Sequence, residues 1–240
     1  MTSSLQFMLW LVVLSLLAAG AWVTWDYRAW KSLGKGGVPD NLRGWFMVTR
    51  FRLEARDTLD TGVYAALIGG ADDSVRLPDL PARQGLRPRM GRHPVPHRQL
   101  DQKPEGSEAR RLLDQVFDRF VDSNGSYVRY AKSFYEKRND AVTLVDLARG
   151  RPLAAMSQGE VAHIHPSDGS MHMIFSPSDA KQVIDKGWGE RHPLCGVPRH
   201  NIALTYLMIY TPRDAGEVAV VRQLLRGAVE HMGRCDCVSA

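Results

Sequence analysis

Three histidines lie in two short segments that alternate apolar and polar residues. His163 and His165 belong to the first segment, Val161 to His165, and His172 belongs to the second, Ser170 to Phe175. The Pro-Ser-Asp-Gly run between the segments is typical of a tight turn. The pattern predicts a β-hairpin in which His163 lies opposite His172 and His165 points to the same face. A register shift of one residue would separate the three imidazoles.

A patch of three imidazoles has three interpretations, and the sequence by itself leaves them open. As metal ligands, the imidazoles would suit zinc or another transition metal with an open position. As acid–base groups they titrate near neutral pH, and one of two facing imidazoles is expected to stay neutral and act as a base. As structural groups they would be hydrogen-bonded at a sheet edge. His163, His165 and His172 are therefore candidate catalytic residues and, if a metal is bound, its candidate ligands.

A second polar group, Trp-Gly-Glu-Arg-His-Pro, follows a predicted helix end at residue 188. Loops held by a rigid scaffold often carry function. Glu190, Arg191 and His192 are candidate catalytic residues, although Glu190 and Arg191 could equally form a surface ion pair. Arg213 could hold an anionic substrate or pair with a carboxylate. The candidate substrate-binding residues are Asp168, Trp188, Tyr206, Tyr210 and Arg213.

The helices and strands predicted around these residues indicate an α+β fold. It would be an antiparallel sheet with a central histidine-bearing hairpin, packed by helices and preceded by one N-terminal transmembrane helix. Ser176 and Pro177 carry the signals of a helix N-terminus, and Gly187 would end that helix. The other predicted elements are a helix over Ser107 to Asp122, strands over Tyr127 to Tyr135, Ala141 to Leu147 and Leu204 to Tyr210, a loop over Trp188 to His200, and an amphipathic helix over Pro212 to Met232.

The N-terminal run from Leu5 to Trp25 contains no charged residue. About 20 apolar residues suffice to span a bilayer as a helix. Basic residues follow the run, which predicts that its C-terminal side stays cytosolic, and none precedes it, unlike in a cleaved signal peptide. We therefore expect a single-pass membrane protein that contacts the lipid bilayer through residues 5–25, with its soluble domain facing the cytosol and the endoplasmic reticulum as a candidate membrane.

The chain between this anchor and the predicted domain is expected to be irregular over much of its length. Several prolines between Arg76 and Glu105 disfavour helix, so this stretch should be extended and wrap the domain. Gly44 to Gly70 is predicted to be helical and to lie against the bilayer. We divide the chain into a transmembrane anchor (1–26), a linker and membrane-proximal wrapping segment (27–105), and an α+β domain (106–240).

The composition argues for a globular protein without a nucleic-acid partner. Hydrophobic residues make up 44% of the chain and charged residues 24%, which excludes a disordered chain. The net charge is +5, but the densest arginine run, Arg83 to Arg98, contains no aromatic residue. The three cysteines have no metal-ligand or paired spacing, which favours free thiols.

Taken together, these segments resemble the fungal luciferase family and its many non-luminous relatives. The resemblance is carried by GEVAHIHPSDGSMHMIFSPSDAKQVIDKGWGERHPL, followed by TYLMIYTPR and an amphipathic helix. The segments WDYRAWKSLGKGGVPDNLRGWFMV and LPDLPARQGLRPRM extend it upstream, so that it covers nearly the whole chain.

The resemblance implies an oxygen-dependent enzyme that has no metal or organic cofactor and uses O2 as co-substrate. Luminous members oxidise 3-hydroxyhispidin, a styryl-pyrone, through a cyclic peroxide that loses carbon dioxide. Such a reaction needs a base, a cation near the enolate and a dry apolar pocket. The resemblance therefore implies His163 or His172 as base, with the enolate stabilised by Arg191 or Arg213. Trp188 and Tyr210 would stack on a flat, hydrophobic substrate of the hydroxypyrone or polyketide-like class.

The turn between His165 and His172 departs from that of luminous members. Its Pro-Ser-Asp-Gly-Ser-Met sequence is the form of the non-luminous relatives, so the resemblance implies oxygen-dependent oxidation more firmly than light emission. Two alternatives remain beside this function. One is a non-enzymatic, membrane-associated protein that binds small molecules, and the other is a histidine-ligated metal enzyme.

Overall fold

Helices and strands alternate irregularly along the chain after a long N-terminal helix, which confirms the predicted α+β class. The structure is a computed structural model that describes residues 2–102 and 108–235. The α-helices are α1 (Thr2–Ser32), α2 (Leu42–Phe51), α3 (Glu108–Ser123), α4 (Pro152–Met156), α5 (Pro177–Asp185) and α6 (Ala215–Gly233). The strands are β1 (Val128–Lys132), β2 (Asp140–Leu144), β3 (Glu160–Ile164), β4 (Met171–Ile174), β5 (Gly189–Arg191) and β6 (Tyr206–Ile209). Short 3-10 helices cover Gly62–Tyr64 and Pro198–His200.

Strands β3 and β4 lie in the middle of an antiparallel sheet whose strand order is β1-β2-β3-β4-β6-β5. His163 on β3 pairs with His172 on β4, in the register that the alternating pattern predicts. His172 in turn pairs with Met208 on β6, and Met208 pairs with Glu190 on β5. Because directly paired residues share a face, this row points two imidazoles and a carboxylate to the same side of the sheet.

The opposite face of the sheet packs into the main hydrophobic core. Ala162, Met173 and Leu207 form the neighbouring row of paired residues, and all three belong to this core. Helix α6 lies against β2, β3 and β4 and supplies a buried apolar face made of Val218, Val221, Leu224, Leu225, Ala228, Val229 and Met232. Successive strand residues alternate between the faces, so burial of this row directs His163 and His172 to the other side.

A β-bulge interrupts the pairing of β2 with β3. Glu160 pairs with Thr143, and the next pair along the ladder skips Val161. An extra residue on one strand shifts the alternation of side chains by one position. Glu160 therefore points to the same face as His163, although three residues separate them.

The proline-rich segment, residues 76–102, runs along the domain and is tied to it by hydrogen bonds. The backbone amide of Gln99 donates to the Asp168 carboxylate at 2.6 Å, and the Gln99 side-chain carbonyl accepts from the amide of Thr211 at 3.1 Å. These bonds hold His97, two residues before Gln99, against the histidine-bearing face of the sheet.

Most of α1 is exposed, whereas its C-terminal end is buried in the domain. The helix is long and apolar enough over Ser3–Ser32 to cross a membrane. Asp26 and Trp30 near its end are buried, and the Trp30 indole donates to the Val95 carbonyl at 3.0 Å. α1 is therefore joined to the domain by packed side chains near its C-terminal end, in addition to the covalent backbone connection.

The prediction of a helix over Gly44 to Gly70 is wrong in extent, because α2 ends at Phe51 and turns follow. The Asp57 and Asp60 carboxylates each accept a hydrogen bond from the backbone amide two residues later. Such local side-chain bonds favour turns over helix.

The prediction of a loop over Trp188 to His200 is also wrong, because it contains the edge strand β5. A strand of three residues is too short to show a period of two. Gly189 allows the close approach of β5 to β6, since a Cβ atom there would lie 2.3 Å from the Met208 carbonyl oxygen.

Two helix predictions differ from the structure in smaller ways. The helix predicted over Ser107 to Asp122 corresponds to α3, and its predicted first residue, Ser107, lies outside the described residues. Helix α4 was not predicted, because five residues cannot show a helical repeat.

Candidate active site

Five histidines meet on the face of the sheet opposite the main core. Their neighbouring ring centroids lie 4.9–5.7 Å apart, and each side chain is at most 5% exposed. We call this group the histidine cluster; its members are His97, His163, His165, His172 and His192. The cluster unites the three histidines of the β3–β4 segment with His192, which follows β5, and with His97 from the proline-rich segment.

A chain of hydrogen bonds runs through one side of the cluster. Nδ1 of His163 lies 2.5 Å from the Glu160 carboxylate, and Nε2 of His163 lies 3.1 Å from Nε2 of His165. Nδ1 of His165 lies 2.8 Å from the Ser170 hydroxyl. An ionised carboxylate can only accept, so neutral imidazoles order this chain in one direction. The Ser170 hydroxyl donates to His165, His165 donates to His163, and His163 donates to Glu160.

His172 lies at the centre of the cluster with its ring orientation fixed from two sides. Its Nδ1–H donates to the Leu207 carbonyl at 3.1 Å, which leaves the lone pair of the neutral ring on Nε2. Its ring stacks on Tyr206, with centroids 4.4 Å apart and planes at 11°. Within the described part of the chain, Nε2 of His172 makes no hydrogen bond. His172 therefore presents the basic nitrogen that is most available for chemistry.

His192 differs from His172 because both of its nitrogens have backbone partners. The amide of Leu194 donates to Nδ1 at 3.1 Å, so the neutral ring carries its proton on Nε2, beside the Pro94 carbonyl. This arrangement suits an orienting or packing role better than a role as base.

His97 and Glu190 close the cluster on the β5 side. Nε2 of His97 lies 3.2 Å from one Glu190 oxygen, and the Tyr210 hydroxyl donates to the other at 2.9 Å. Nδ1 of His97 is buried and has no hydrogen-bond partner among the described residues. The predicted site residues Glu190 and Tyr210 therefore contact the cluster through His97, which was not among the predicted site residues.

Arg98 is the cation beside the cluster, and the two predicted cations lie elsewhere. The buried Arg98 guanidinium donates to Glu136 at 2.8 Å and to the His97 carbonyl at 3.0 Å. Arg191 instead donates to the backbone carbonyls of Asp57 and Asp60. It holds the turn after α2 and does not form the suggested surface pair with Glu190.

Arg213 pairs with a carboxylate, which is the second of the two roles predicted for it. Its guanidinium pairs with Glu217 on α6 and donates to the Gln84 carbonyl at 2.7 Å. These contacts hold Arg213 against α6 and Gln84, and among the described contacts none joins it to the histidine cluster.

The predicted aromatic residues divide between the core and the cluster. Trp188 is buried in the main hydrophobic core and donates from its indole to the Pro81 carbonyl at 2.7 Å. Tyr206, stacked on His172, is the aromatic residue in direct contact with the cluster, and Tyr135 lies against its ring with centroids 4.6 Å apart. Trp188 is therefore placed to support the sheet rather than to stack on a substrate.

Burial sets the protonation of the cluster. Desolvation, followed by the positive charges of Arg98 and the other histidines, lowers the pKa of His165 and His172 well below the usual value. Desolvation and the neighbouring histidines lower the pKa of His192 in the same way. These three imidazoles are therefore neutral at physiological pH.

The pKa values of the carboxylates around the cluster are shifted in different directions. Burial would raise the pKa of Glu160 and Glu190, but bonds from His163 to Glu160 and from His97 to Glu190 hold both pKa values below the usual range. Burial raises the pKa of Asp168, despite its bonds from Gln99 and Ser170. Asp168 fastens the β3–β4 turn to the proline-rich segment and has no open side toward a substrate.

The cluster is closed in this conformation. Its five histidines are almost fully buried. The cluster is covered by the segment that carries His97 and Arg98. A substrate would reach the imidazoles only when this cover moves.

Sequence patterns missed Glu160, His97 and Arg98. Glu160 was missed because regular strand geometry places it opposite His163, and only the bulge brings the two together. His97 and Arg98 lie in the HPVPHR run, where histidines and an arginine among prolines gave a weak signal. Their contacts join positions distant in the sequence, which no local period reveals.

Comparisons with known proteins agree with this architecture. The Luciferase domain family model matches residues 158–228, which include the β3–β4 histidines and His192. A luciferase of Armillaria gallica is 30% identical over 217 residues, covering 86% of this chain and 80% of that protein. Luciferases of Armillaria mellea and Neonothopanus nambi are 28% and 26% identical, each covering 92% of this chain and 85% of the relative. No solved structure matches the chain. The extent and identity of these matches show that the chain belongs to the fungal luciferase family.

Proposed function

We propose that the chain is a membrane-anchored, luciferase-like oxygenase that oxidises a hydrophobic, enolisable small molecule of the hydroxypyrone or polyketide-like class. O2 would be the co-substrate, with no metal or organic cofactor. The observation that carries this proposal is the buried histidine cluster, in which Glu160 binds His163 and His163 contacts His165. Family membership supports the luciferase-like chemistry.

In the proposed reaction, Nε2 of His172 accepts the proton of the substrate enol. The electron pair left behind makes the enolate carbon nucleophilic, and that carbon forms a bond to O2. The carbon is oxidised while O2 is reduced to the level of a peroxide, and the imidazolium returns its proton to the peroxide oxygen. The sum is substrate plus O2 giving a hydroperoxide, so no further oxidant or reductant enters.

The remaining groups would assist each stage of this sequence. Arg98, whose guanidinium pairs with Glu136 beside the cluster, would supply the positive charge that stabilises an enolate in a site of low dielectric constant. The chain from Ser170 to Glu160 can redistribute a proton through His165 and His163. Tyr206 offers a flat aromatic wall beside His172.

The membrane anchor is part of the same proposal. α1 would cross the bilayer once through residues 5–25, and the domain would face the cytosol, with the endoplasmic reticulum as the candidate membrane. Length and apolar composition of α1 support the crossing. A lipophilic substrate could then arrive through the bilayer.

A histidine-ligated metal enzyme is the second candidate, because each imidazole of the β3–β4 group has an outer partner for Nδ1. Those partners are Glu160, the Ser170 hydroxyl and the Leu207 carbonyl. This is the usual outer arrangement around metal-binding histidines. Ligand atoms of His163, His165 and His172 lie within 4.8 Å of one another. Two nitrogens bound to one tetrahedral zinc would be about 3.3 Å apart, close to the 3.1 Å between His163 and His165.

One experiment on the full-length protein in detergent separates these functions. Oxygen uptake and light are recorded with 3-hydroxyhispidin, metal content is measured on the same sample, and thermal stability is compared with and without the pyrone. The proposal predicts oxygen uptake by protein that contains far less than one metal ion per chain. Stoichiometric metal that is lost in a His163→Ala variant would establish the metal enzyme. A pyrone-dependent rise in melting temperature without oxygen uptake would instead establish a binding protein.

A further inference from the structure

Helix α2 carries an exposed apolar stripe that the domain does not cover. Leu42 and Phe46 are 62% and 57% exposed, and Leu53, just beyond the helix end, is 88% exposed. The spacing of four residues places Leu42 and Phe46 on one side of α2, and Leu53 lies in the turn that follows the helix. The other side is packed against the domain, where Val48 is fully buried and Trp45 is half-buried. A stripe of large apolar side chains on a helix whose other face is already buried requires a partner outside the domain.

The position of this stripe is fixed relative to the apolar helix α1. The Asp26 carboxylate on α1 accepts from the Trp45 indole at 2.9 Å and from the Arg52 guanidinium at 3.1 Å. The ring of Tyr27 meets that of Trp45 edge to face at 6.1 Å. α2 is therefore attached to α1 at the point where the uncharged run of α1 ends.

Charged and aromatic groups at the same level match a bilayer surface. Trp25, the last residue of the uncharged run, is 52% exposed, and the guanidinium of Arg92 lies 4.9 Å from its ring centroid. Arg43 and Arg50 on α2 are exposed and flank the apolar stripe. An apolar stripe flanked by arginines is typical of helices that lie in the headgroup region of anionic membranes.

We propose that α2 is a second membrane contact, which lies in the surface of the bilayer that α1 crosses. Leu42, Phe46 and Leu53 insert among the acyl chains, and Arg43 and Arg50 bind the phosphates of anionic lipids. This inference rests on the proposed crossing by α1.

The contact has a consequence for the histidine cluster. The His93 imidazole lies 3.0 Å from the same Asp26 carboxylate that holds α2, and Trp30 of α1 binds the Val95 carbonyl. The segment that begins at His93 continues to His97 and covers the cluster. α2 would therefore hold the start of this cover at the membrane surface, where a lipophilic substrate arrives.

The test uses the full-length chain in nanodiscs of phosphatidylcholine, with and without phosphatidylserine. Cys235→Ser and Cys237→Ser provide the background, and Cys195 remains because it is buried. Single cysteines replace Leu42, Phe46 or Leu53 and are labelled with a nitrobenzoxadiazole fluorophore. The label is then quenched by lipids that carry a shallow doxyl group. Leu14→Cys in α1, near the middle of the proposed span, reports on the crossing and is read with lipids that carry a doxyl group deep in the acyl chain. Leu86→Cys, at an apolar position that is 86% exposed, is the control and matches Leu53 in exposure.

The stripe labels should be quenched about twice as strongly as the Leu86 control, and more strongly when phosphatidylserine is present. An Arg43→Glu and Arg50→Glu double variant should remove the phosphatidylserine effect alone. Stripe labels that behave like the Leu86 control while the Leu14 label is quenched would overturn the inference and leave the anchor standing. An unquenched Leu14 label would overturn the crossing and, with it, this inference.

Discussion

The Glu160 carboxylate binds Nδ1 of His163 at 2.5 Å, although residues three apart on a regular strand point to opposite faces. The β-bulge at Val161 makes this contact, and the amides of Phe134 and Tyr135 hold the same carboxylate from the loop after β1. The β-bulge therefore orients the imidazole of His163. β-Bulges often re-aim a side chain beside an active site.

Replacement of this carboxylate by an amide should impair the reaction more than the fold. In a Glu160→Gln variant the amide nitrogen can donate to Nδ1 of His163, which reverses the proton order along the chain of histidines. We expect oxygen uptake with a hydroxypyrone to fall about 100-fold. Glu217→Gln is the control, because Glu217 is a similarly buried carboxylate that pairs with Arg213, away from the cluster. Equal rates in the two variants would remove Glu160 from the mechanism.

Folding stability should fall as the pH drops below about 6.5, where unfolded histidines take up protons. The folded-state pKa values of His165, His172 and His192 are lowered well below that value, so the unfolded chain binds more protons in this range. The stability is fully present above the unfolded pKa, and each group removes up to about 1.4 kcal/mol per pH unit as the pH falls. His231, with its pKa lowered to about 3, acts in the same direction.

Thermal unfolding midpoints of the full-length protein in detergent, measured from pH 7.5 to 5, test this dependence. A His172→Phe variant should show a shallower slope, because one proton-linked group is gone. The raised pKa of Asp168 opposes the trend, because uptake of a proton by Asp168 favours the folded state. A midpoint that stays constant over the whole range would contradict neutral buried histidines.

The junction between α1 and the domain should be sensitive to Asp26. Its carboxylate binds Trp45, Arg52 and His93, so Asp26→Ala leaves buried or half-buried donors without a partner. We expect a loss of about 1–3 kcal/mol in the free energy of unfolding. Thr24→Ala, two residues earlier on α1, removes only an exposed bond to the Gly20 carbonyl and serves as the control. Equal melting temperatures for the two variants would show that α1 is tethered by the chain alone.

The approach of β5 to β6 depends on Gly189. An added Cβ atom would lie 2.3 Å from the Met208 carbonyl oxygen, so β5 must shift and carry Glu190 away from His97. Gly189→Ala should cost about 1–3 kcal/mol of stability and reduce activity. Gly125→Ala is the control, since its nearest neighbour would be 3.9 Å away. Normal stability and activity of Gly189→Ala would mean that the position of Glu190 is unimportant.

Local sequence patterns predicted the parts of the fold that local forces determine. The alternation around His163 and His172 predicted their pairing, because a buried row on one face leaves only one register. The Ser176 cap and Pro177 predicted the start of α5, where the Ser176 hydroxyl accepts from the Asp179 amide.

The parts that could not be predicted depend on irregularity or on distant contacts. The β-bulge turns the Glu160 side chain to the face opposite the one expected in a regular strand. Strand β5 is too short for an alternating pattern to be recognised. His97 and Arg98 reach the cluster only because an extended segment crosses the sheet. Arg191 and Trp188 were selected for their chemistry, but packing placed Arg191 on backbone carbonyls and Trp188 in the core.

Oxygen uptake by a matched pair of histidine variants tests the central claim most directly. His172→Phe keeps an aromatic ring that can stack on Tyr206 but removes the basic nitrogen, whereas His231→Phe removes a buried histidine outside the cluster. With 3-hydroxyhispidin as substrate, we predict that His231→Phe keeps the wild-type rate and that His172→Phe loses at least about 100-fold. Equal rates in the two variants, or no oxygen uptake by the wild type, would contradict the assignment of the histidine cluster as the active site.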